Sequence, residues 1–476
     1  MQNRYFCYPK FNKTNNLQRK KTVLIYTRPW FVGFYNHLGF AIKKIFNVEV
    51  IYFSDYEVQG AVNLSPLKED IKSYRKLLTY DKSFTDIRFR DRLLRTKTNE
   101  ESIKILSCYY KKIEDFFSAY DISFIFSATI DQFFIDLVYL YCVRAKISFF
   151  GYHLSVLPGY TLMSTRGEVA PFRKVNDEEI SQSIEEIQPN DFRPLYIPLK
   201  QNMKSAAIIR YLKNILRVIY FYYKSRTTKK FNYHYLTSFS ESKKSISLST
   251  LKTLVAIEYD DMDEELPIYI PLQLHPECNS EYWHRSEKYI DYEDRILNFC
   301  KENSGHFSIF LKEHPNMMGV RSNTFYRKLK LAGGKILDPS IENRKVITRS
   351  KVIVTFNSSV GIEGLIYKKP IYCLSKPYYH DVNFIDSEDQ LYELLSNKIS
   401  YDSFINKINL RTVISRVLSI SVPVVLPDTN HFSSNSQEAS DIAEDYISHL
   451  IPLIGEGFNS PKEEDIFTYR GGSNAK

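Results

Sequence analysis

Short apolar runs alternate with helical patterns in the first third of the chain. The runs have the length of buried strands, and the segments between them repeat apolar residues three and four positions apart, as one face of a helix does. We predict strands at residues 22–26, 48–53, 122–127 and 147–152, and helices at 35–45 and 132–144. Such a β-α-β rhythm is typical of a parallel sheet.

The second half repeats this rhythm more clearly. We predict strands at residues 268–273, 307–311, 335–337, 352–356 and 370–374, and helices at 292–303, 323–331 and 360–367. Two such series in one chain predict an α/β fold with two doubly wound, Rossmann-like domains that face a central cleft.

The 476 residues suffice for two domains with separate cores. We expect an N-terminal α/β domain over 1–190, a basic linker or insertion over 191–260, a C-terminal α/β domain over 261–425, and a closing segment over 426–476. In the closing segment, a helical pattern at 437–450 is expected to pack back across the first domain, and a polar tail follows it.

Composition narrows the class of protein. Hydrophobic residues make up 43% and aromatic residues 15% of the chain, which favours a packed globular protein. The six cysteines are scattered without metal-ligand or redox spacing, so we expect reduced thiols in a cytoplasmic protein. The first 21 residues are polar and basic, and no apolar run reaches the ~18 residues of a membrane span.

The excess positive charge is concentrated in one segment. No acidic residue occurs between Asp191 and Glu241, whereas Arg210, Lys213, Arg217 and Lys224 follow one another at spacings that place them on one helix face. A basic amphipathic helix over 203–230 is typical of a protein that lies on an anionic membrane surface. A helix packed on its own protein with a solvated basic face explains the pattern equally well. No nucleic-acid module accompanies the charge, so a nucleic-acid partner is not expected.

Two polar segments should lie at the carboxyl ends of parallel strands, where open α/β sheets bind ligands. Lys312, Glu313, His314 and Pro315 follow one predicted strand, and residues 357–364 follow another. The second segment contains Asn357, Ser358, Ser359, Gly361, Glu363 and Gly364. Its hydroxyls and N–H groups at a helix start suit an anionic phosphate, and a facing histidine can contact the same phosphate.

Each of these residues also has a structural explanation. His314 can cap a helix, the two serines can be an ordinary N-cap pair, and the glycines can let a neighbouring strand approach closely. A third segment at the same expected edge strengthens the ligand-site hypothesis. Gln273, His275 and Glu277 leave the first strand of the second domain, and three polar strand ends at one crevice indicate a binding site.

The order of these motifs resembles the bacterial capsule polysaccharide biosynthesis family, which includes β-Kdo transferases. The resemblance covers roughly residues 267–379 and rests on residues 271–277, on 311–315 with Gly319, Arg321, Phe325 and Tyr326, and on 357–365 followed by 369–371. It implies a GT-B glycosyltransferase whose second domain binds a nucleotide sugar and whose first domain binds a glycan or glycolipid acceptor.

The same resemblance implies roles for individual residues. Lys312, His314, Pro315, Asn357, Gly361 and the Ser358–Ser359 turn would hold the nucleotide, expected to be CMP, and Glu313 or Glu363 would hold ribose hydroxyls or fix the loops. Gln273, His275, Arg321 and Arg166 would contact the donor or another substrate.

The expected chemistry needs no metal or other cofactor. A CMP-activated ulosonic acid such as Kdo leaves with one phosphate, whose charge histidine and serine hydroxyls can stabilise. Asp261 and Asp263 match the Asp-x-Asp pattern of a metal-binding motif, but they precede a predicted strand instead of following one. The chain also lacks a Gly-x-Gly-x-x-Gly turn and a P-loop, which argues against a dinucleotide enzyme or an NTPase.

Glycosyl transfer requires a carboxylate as base or nucleophile. The candidates are Asp131 after a first-domain strand, Glu168 in a loop beside Arg166, and Glu277. Each can instead be a helix cap, a loop carboxylate or an ion-pair partner.

Two other functions remain open at this point. A CDP-glycerol or CDP-ribitol phosphotransferase also has a His-Pro loop and a Ser-Ser turn, although an aspartate and a tyrosine usually precede those serines, where this chain has Phe356 and Asn357. The second open function is that of a non-catalytic assembly protein, which keeps the fold and docks at the membrane through the basic helix.

Overall fold

The computed structural model describes residues 21–74, 82–167, 171–188, 203–247, 250, 257–283, 292–375, 377–381, 383–426 and 437–455. The strands are β1 Lys21–Tyr26, β2 Glu49–Ser54, β3 Val62–Asn63, β4 Asp121–Ala128, β5 Ser148–Leu154, β6 Thr161–Met163, β7 Leu266–Pro271, β8 Ile309–Lys312, β9 Gly334–Leu337, β10 Ser350–Thr355, β11 Ile371–Cys373 and β12 Ser421–Val422.

The α-helices fill the intervals between the strands. They are α1 Val32–Phe46, α2 Lys68–Ser73, α3 Lys82–Arg90, α4 Asn99–Phe117, α5 Phe133–Ala145, α6 Asp177–Ile187, α7 Met203–Thr227, α8 Tyr233–Ser245, α9 Cys278–Glu281, α10 Tyr292–Asn303, α11 Asn323–Leu331, α12 Asn343–Arg349, α13 Val360–Ile366, α14 Glu388–Leu395, α15 Tyr401–Ile405, α16 Leu410–Ser419 and α17 Gln437–Gly455. Short 3₁₀ helices occupy Leu94–Thr96 and Pro315–Met317.

The first sheet has seven strands in the order β12-β6-β5-β4-β1-β2-β3. Strands β1 to β5 pair in parallel, whereas β6 pairs antiparallel with both β5 and β12. The central strand β1 is buried over Thr22 to Tyr26, as expected for a continuous apolar run covered by helices on both faces.

The second sheet has five parallel strands in the order β11-β10-β7-β8-β9. The parallel strands of the two sheets follow the same doubly wound order, β5-β4-β1-β2-β3 in the first sheet and β11-β10-β7-β8-β9 in the second. In each sheet the chain first winds in one direction and then continues on the other side of its first strand, so the winding direction reverses between the first strand and the fourth. The reversal lies between β1 and β4 in one sheet and between β7 and β10 in the other. Ligands of open α/β sheets bind outside the carboxyl ends of the strands at such a reversal. The predicted α/β class with two doubly wound sheets is confirmed.

The loop after β7 joins the two halves of the molecule. Tyr282 donates its hydroxyl to the Asp91 carboxylate at 2.7 Å, and the Trp283 indole N–H donates to the Thr129 hydroxyl at 3.0 Å. Glu281 is fully buried and forms ion pairs with Arg92 and Arg95, at 2.7 and 2.8 Å. The carboxyl edge of the second sheet is thereby held against the edge of the first sheet where β4 ends.

Two helical elements complete the molecule. Helix α17 packs on α1 of the first sheet, where Lys44 pairs with Glu444 at 2.7 Å and Tyr446 packs edge-on against Phe126. Helices α7 and α8 form an antiparallel hairpin whose contacts include the rings of Tyr222 and Phe239. Among the described helices, none is both long and apolar enough to cross a membrane.

Candidate functional site

Three neighbouring strands of the second sheet bring the polar segments together. Gln273 follows β7, Glu313 and His314 follow β8, and Asn357 follows β10. Since β7 lies between β10 and β8, the three segments meet at one edge, beside the reversal of the winding. The predicted placement of the segments at the carboxyl ends of parallel strands is confirmed.

Gln273 links the two strands that flank the reversal. Its side chain is buried, and its Oε1 accepts a hydrogen bond from the Asn357 backbone N–H at 3.3 Å. The Nε2 of the same amide has no hydrogen-bond partner among the described residues. A buried amide donor without a partner is costly, so a ligand that accepts a hydrogen bond here would be favoured.

A buried ion pair fixes the loops after β7 and β8. The Arg321 guanidinium donates to the Glu313 carboxylate at 2.8 Å and to the Gln273 carbonyl at 2.6 Å. Glu313 also accepts hydrogen bonds from the Tyr326 hydroxyl at 2.5 Å and from the His314 backbone N–H at 2.7 Å. These partners occupy both oxygens of Glu313. Of its two predicted roles, the structure therefore supports fixing the loops, and it places Arg321 in the same supporting network.

His314 combines a capping role with a ring N–H donor that has no hydrogen-bond partner among the described residues. Its Nδ1 accepts a hydrogen bond from the Asn316 backbone N–H at 3.1 Å, which caps the 3₁₀ helix that begins at Pro315. Because Nδ1 is an acceptor, Nε2 carries the proton in the neutral ring. Burial lowers the pKa of His314, although the Glu313 carboxylate acts in the opposite direction. His314 is therefore a neutral N–H donor at neutral pH, suited to a phosphate oxygen.

Tight packing shapes the Ser358–Ser359 turn. The buried Tyr379 donates its hydroxyl to the Ser358 carbonyl at 2.5 Å. A Cβ on Gly361 would lie 2.3 Å from the Tyr379 hydroxyl oxygen, and a Cβ on Gly364 would lie 2.4 Å from Ile353 Cδ1 on β10. Both glycines therefore allow the close approach of other protein groups, and through them the turn keeps its position at the sheet edge.

A chain of polar contacts runs from β8 to the serine turn through Asn343, a residue that the sequence analysis missed. Lys312 donates to the Asn343 side-chain oxygen at 3.3 Å, and the Asn343 amide donates to Glu363 at 3.1 Å. The Ser359 hydroxyl lies 3.5 Å from the same Glu363 carboxylate. Burial lowers the pKa of Lys312 to about 8 and raises the pKa of Glu363. The site therefore contains a buried ammonium that loses its charge at mildly alkaline pH.

His275 and Glu277 lie on the loop that joins the two halves. The His275 ring stacks on Tyr292, with ring centroids 5.4 Å apart, and its Nδ1 lies 3.0 Å from the Ser280 hydroxyl. Glu277 is the N-cap residue of α9 and is half-buried. The next residue, Cys278, contacts His153 of β5, with 3.5 Å between Sγ and Nε2. The loop thus brings His275 and Glu277 towards the first sheet.

The carboxyl edge of the first sheet also carries charge at its reversal. Arg28, after β1, forms a two-pronged ion pair with Asp131, after β4, and one of its N–H···O distances is 2.7 Å. The Arg28 side chain is buried, whereas the Asp131 side chain is 33% exposed and can reach a ligand. Burial lowers the pKa of the neighbouring His153 to about 4, so that ring is neutral. The sequence did not indicate His153 as a site residue, because a single histidine within a strand forms no motif.

One predicted residue, Arg166, is not brought into this cluster. The Arg166 guanidinium forms an ion pair with the buried Asp136 of α5 and lies over the Tyr139 ring, 4.9 Å from its centroid. Glu168 lies outside the described residues.

Comparison with known proteins finds a family match for one segment in the second half of the chain. Residues 264–416 match the family described as capsule polysaccharide biosynthesis protein. The resemblance expected from the sequence is confirmed for this segment. It contains β7, β8 and β10 and every polar residue described above at their carboxyl ends. No curated protein matches the chain at a significant level.

Comparison with solved structures matches the chain to transferases and epimerases at low sequence identity. The β-Kdo 2,7 transferase of Thermosulfurimonas dismutans KpsC is 12% identical, with 89% of this chain and 98% of that one covered and a TM-score of 0.37. The β-Kdo 2,4 transferase of the same protein is 13% identical, with coverages of 57% and 78% and a TM-score of 0.29. A UDP-GlcNAc 2-epimerase from Neisseria meningitidis is 11% identical, with coverages of 84% and 97% and a TM-score of 0.28.

Proposed function

We propose that this protein is a GT-B glycosyltransferase of bacterial surface polysaccharide biosynthesis that transfers Kdo or a related ulosonic acid from a CMP-activated donor to a glycan or glycolipid acceptor. One observation carries the proposal. The segment that matches the capsule polysaccharide family supplies all three polar strand ends at the β7–β10 reversal, with the neutral His314 donor among them.

The donor side of the reaction follows from the chemistry of these residues. When the bond between the sugar carbon and the phosphate oxygen breaks, negative charge develops on the phosphate of the departing CMP. The His314 Nε2–H, the Ser358 and Ser359 hydroxyls and the Lys312 ammonium are donors suited to that charge. Groups held in place before the reaction stabilise such charge without reorganising, which lowers the barrier. In this proposal no metal is needed.

The acceptor side is proposed to lie at the edge of the first sheet. A carboxylate there would take the proton of the acceptor hydroxyl or attack the donor carbon. Asp131 is suited to this role because its carboxylate is partly exposed and Arg28 holds it at the reversal of the first sheet. Glu277 is the second candidate, since its loop contacts both sheets.

A thermal-shift comparison of CMP, CDP, UDP and CDP-glycerol tests the donor assignment. A ligand that binds only the folded protein stabilises it by about 2.7 kcal/mol at a concentration 100 times its Kd. We expect CMP to raise the melting temperature more than UDP does. A larger effect of CDP-glycerol would favour a polyol phosphotransferase instead, and no effect of any nucleotide would overturn the proposal.

A further inference from the structure

The outward face of α7 exposes large apolar side chains. Ile208, Leu212, Leu216, Ile219 and Tyr223 are between 52% and 70% exposed. In the same helix Ala207, Asn214 and Phe221 are buried, and they recur every seven residues along the side that faces the protein. The helix therefore has an inner side that packs on the molecule and an apolar outer side that the described residues leave open to solvent.

A basic stripe borders this apolar sector. At 3.6 residues per turn, Lys213, Arg217 and Lys224 fall between the buried side and the exposed apolar side. No acidic residue occurs anywhere between Asp191 and Glu241 to balance them. An apolar sector with a basic border is the arrangement of helices that lie in the interface of an anionic bilayer.

Helix α7 is also connected to loops at both sheet edges, to one of them through α8. Near its start, the Arg210 guanidinium donates to the carbonyl of Asn316, two residues after His314. About three turns later, or ~16 Å along the helix, the Phe221 ring packs on His234, which in turn contacts Trp30 in the loop after β1. Helix α7 thus contacts the loop of the donor-side histidine directly, and it is linked through His234 of α8 to the loop that carries Arg28.

We propose that the outer face of α7 binds the surface of an anionic lipid bilayer, with Leu212, Leu216 and Ile219 inserted among the lipids and the basic stripe at the headgroups. A second copy of this chain is a poorer fit, because two such faces would bring two basic stripes together. Since α7 contacts the loop after β8 directly and is linked to the loop after β1 through His234, binding in this way would hold the candidate site beside the membrane.

Sedimentation with vesicles tests this surface. The 476-residue chain is incubated with phosphatidylcholine vesicles that contain or lack phosphatidylglycerol. We expect binding to the anionic vesicles, weakening with salt. Each surface basic residue contributes ~1 kcal/mol, and each reversal removes that attraction and adds a similar repulsion, so Lys213→Glu with Arg217→Glu should raise the apparent Kd more than ~100-fold. Reversing the charges of the exposed Lys301 and Arg327 on the second domain should change the apparent Kd for the vesicles little.

A matched pair of exposed leucines tests the contribution of apolar side chains to vesicle binding. Leu216 and Leu331 are 70% and 86% exposed, on α7 and α11 respectively. Leu216→Glu should abolish vesicle binding, and Leu331→Glu should leave it intact. The proposal would be overturned if the two substitutions had equal effects or if the wild-type protein did not bind the vesicles. A dimer that Leu216→Glu dissociates would also overturn it. Nucleotide thermal shifts on the same variants keep this test separate from the proposed function.

Discussion

Arg321 donates a hydrogen bond to Glu313 at 2.8 Å, and the two side chains are 1% and 3% exposed. The pair joins the end of β8 to the start of the segment that leads into α11, and the same guanidinium holds the Gln273 carbonyl after β7. Burial alone would lower the pKa of Arg321, but the charge of Glu313 and the smaller effects of Tyr292, Tyr326 and Glu293 together outweigh burial, and the pKa is raised. Two of the three polar strand ends therefore depend on one side chain.

Replacing Arg321 should destabilise the protein strongly. Arg321→Met leaves the Glu313 carboxylate buried without its counter-charge, a loss that typically costs about 3–5 kcal/mol. The free energy of unfolding, measured by urea denaturation, checks this value. The double variant Arg321→Met with Glu313→Leu should recover part of the loss, because no charge is then buried.

A surface pair provides the control. Lys335 and Asp263 lie 3.0 Å apart with 40% and 50% exposure. Lys335→Met should cost at most about 1 kcal/mol. Similar losses for Lys335→Met and Arg321→Met would contradict the supporting role of the buried pair.

Gly361→Ala should disturb the serine turn through Tyr379. The new Cβ would lie 2.3 Å from the Tyr379 hydroxyl oxygen and 2.8 Å from two ring carbons, so the ring must move away from the Ser358 carbonyl. Such overpacking costs about 1–3 kcal/mol. We expect a lower melting temperature together with weaker nucleotide binding. Gly305→Ala is the matched control, since no atom lies within 4 Å of its Cβ position. If Gly361→Ala binds nucleotide as the wild type does, the turn is not part of the site.

Nucleotide affinity should fall as the pH rises above about 8. Burial lowers the pKa of Lys312 to about 8, so its ammonium is charged below this pH and neutral above it. If the charged form binds the phosphate, each pH unit above 8 should weaken binding by up to tenfold. Calorimetric titrations at pH 7, 8 and 9 measure the slope. Lys312→Met should bind more weakly at pH 7 and show a flat profile, and a wild-type profile that is equally flat would exclude Lys312 from phosphate binding.

Substitution of the two carboxylates should separate catalysis from binding. Asp131→Asn keeps the shape of the side chain but removes its charge, and loss of a general base typically lowers turnover by about 10²–10⁴-fold. Because Asp131 lies on the first sheet, CMP binding at the second sheet should be unchanged. Glu277→Gln is assayed in parallel. Full transfer activity in both variants would exclude both residues and leave Glu168 as the remaining predicted candidate.

Much of the fold was predictable because its strands are continuous apolar runs. The observed α10 and α11 agree with the predicted helices at 292–303 and 323–331, and β1, β4, β7, β8 and β10 each overlap a predicted strand. The short strands β3, β6 and β12 were missed. They have two or three residues and no detectable period, and for β6 contacts distant in sequence, such as the Met163 N–H to the Ile420 carbonyl at 2.8 Å, define the strand.

The candidate site was predictable only where its residues form motifs. The segments around Gln273, His314 and Ser358 follow recognisable strands, and strand order brings them together. Asn343 and His153 are single polar residues whose importance depends on neighbours far away in the sequence. Arg166 resembled a site residue because it lies in a polar, glycine-containing loop. Its pairing with Asp136 depends on how α5 packs against that loop, which periodicity does not reveal.

The most direct test of the central claim is calorimetric titration of CMP into three forms of the protein: wild type, His314→Ala and His306→Ala. His306 is an exposed histidine whose ring packs edge-on against Tyr392 in the same domain, so its replacement controls for loss of an imidazole. We predict saturable one-site binding to the wild type and to His306→Ala, and at least ~10-fold weaker binding to His314→Ala at an unchanged melting temperature. Equal CMP affinity in all three forms, or no binding to the wild type, would contradict the account.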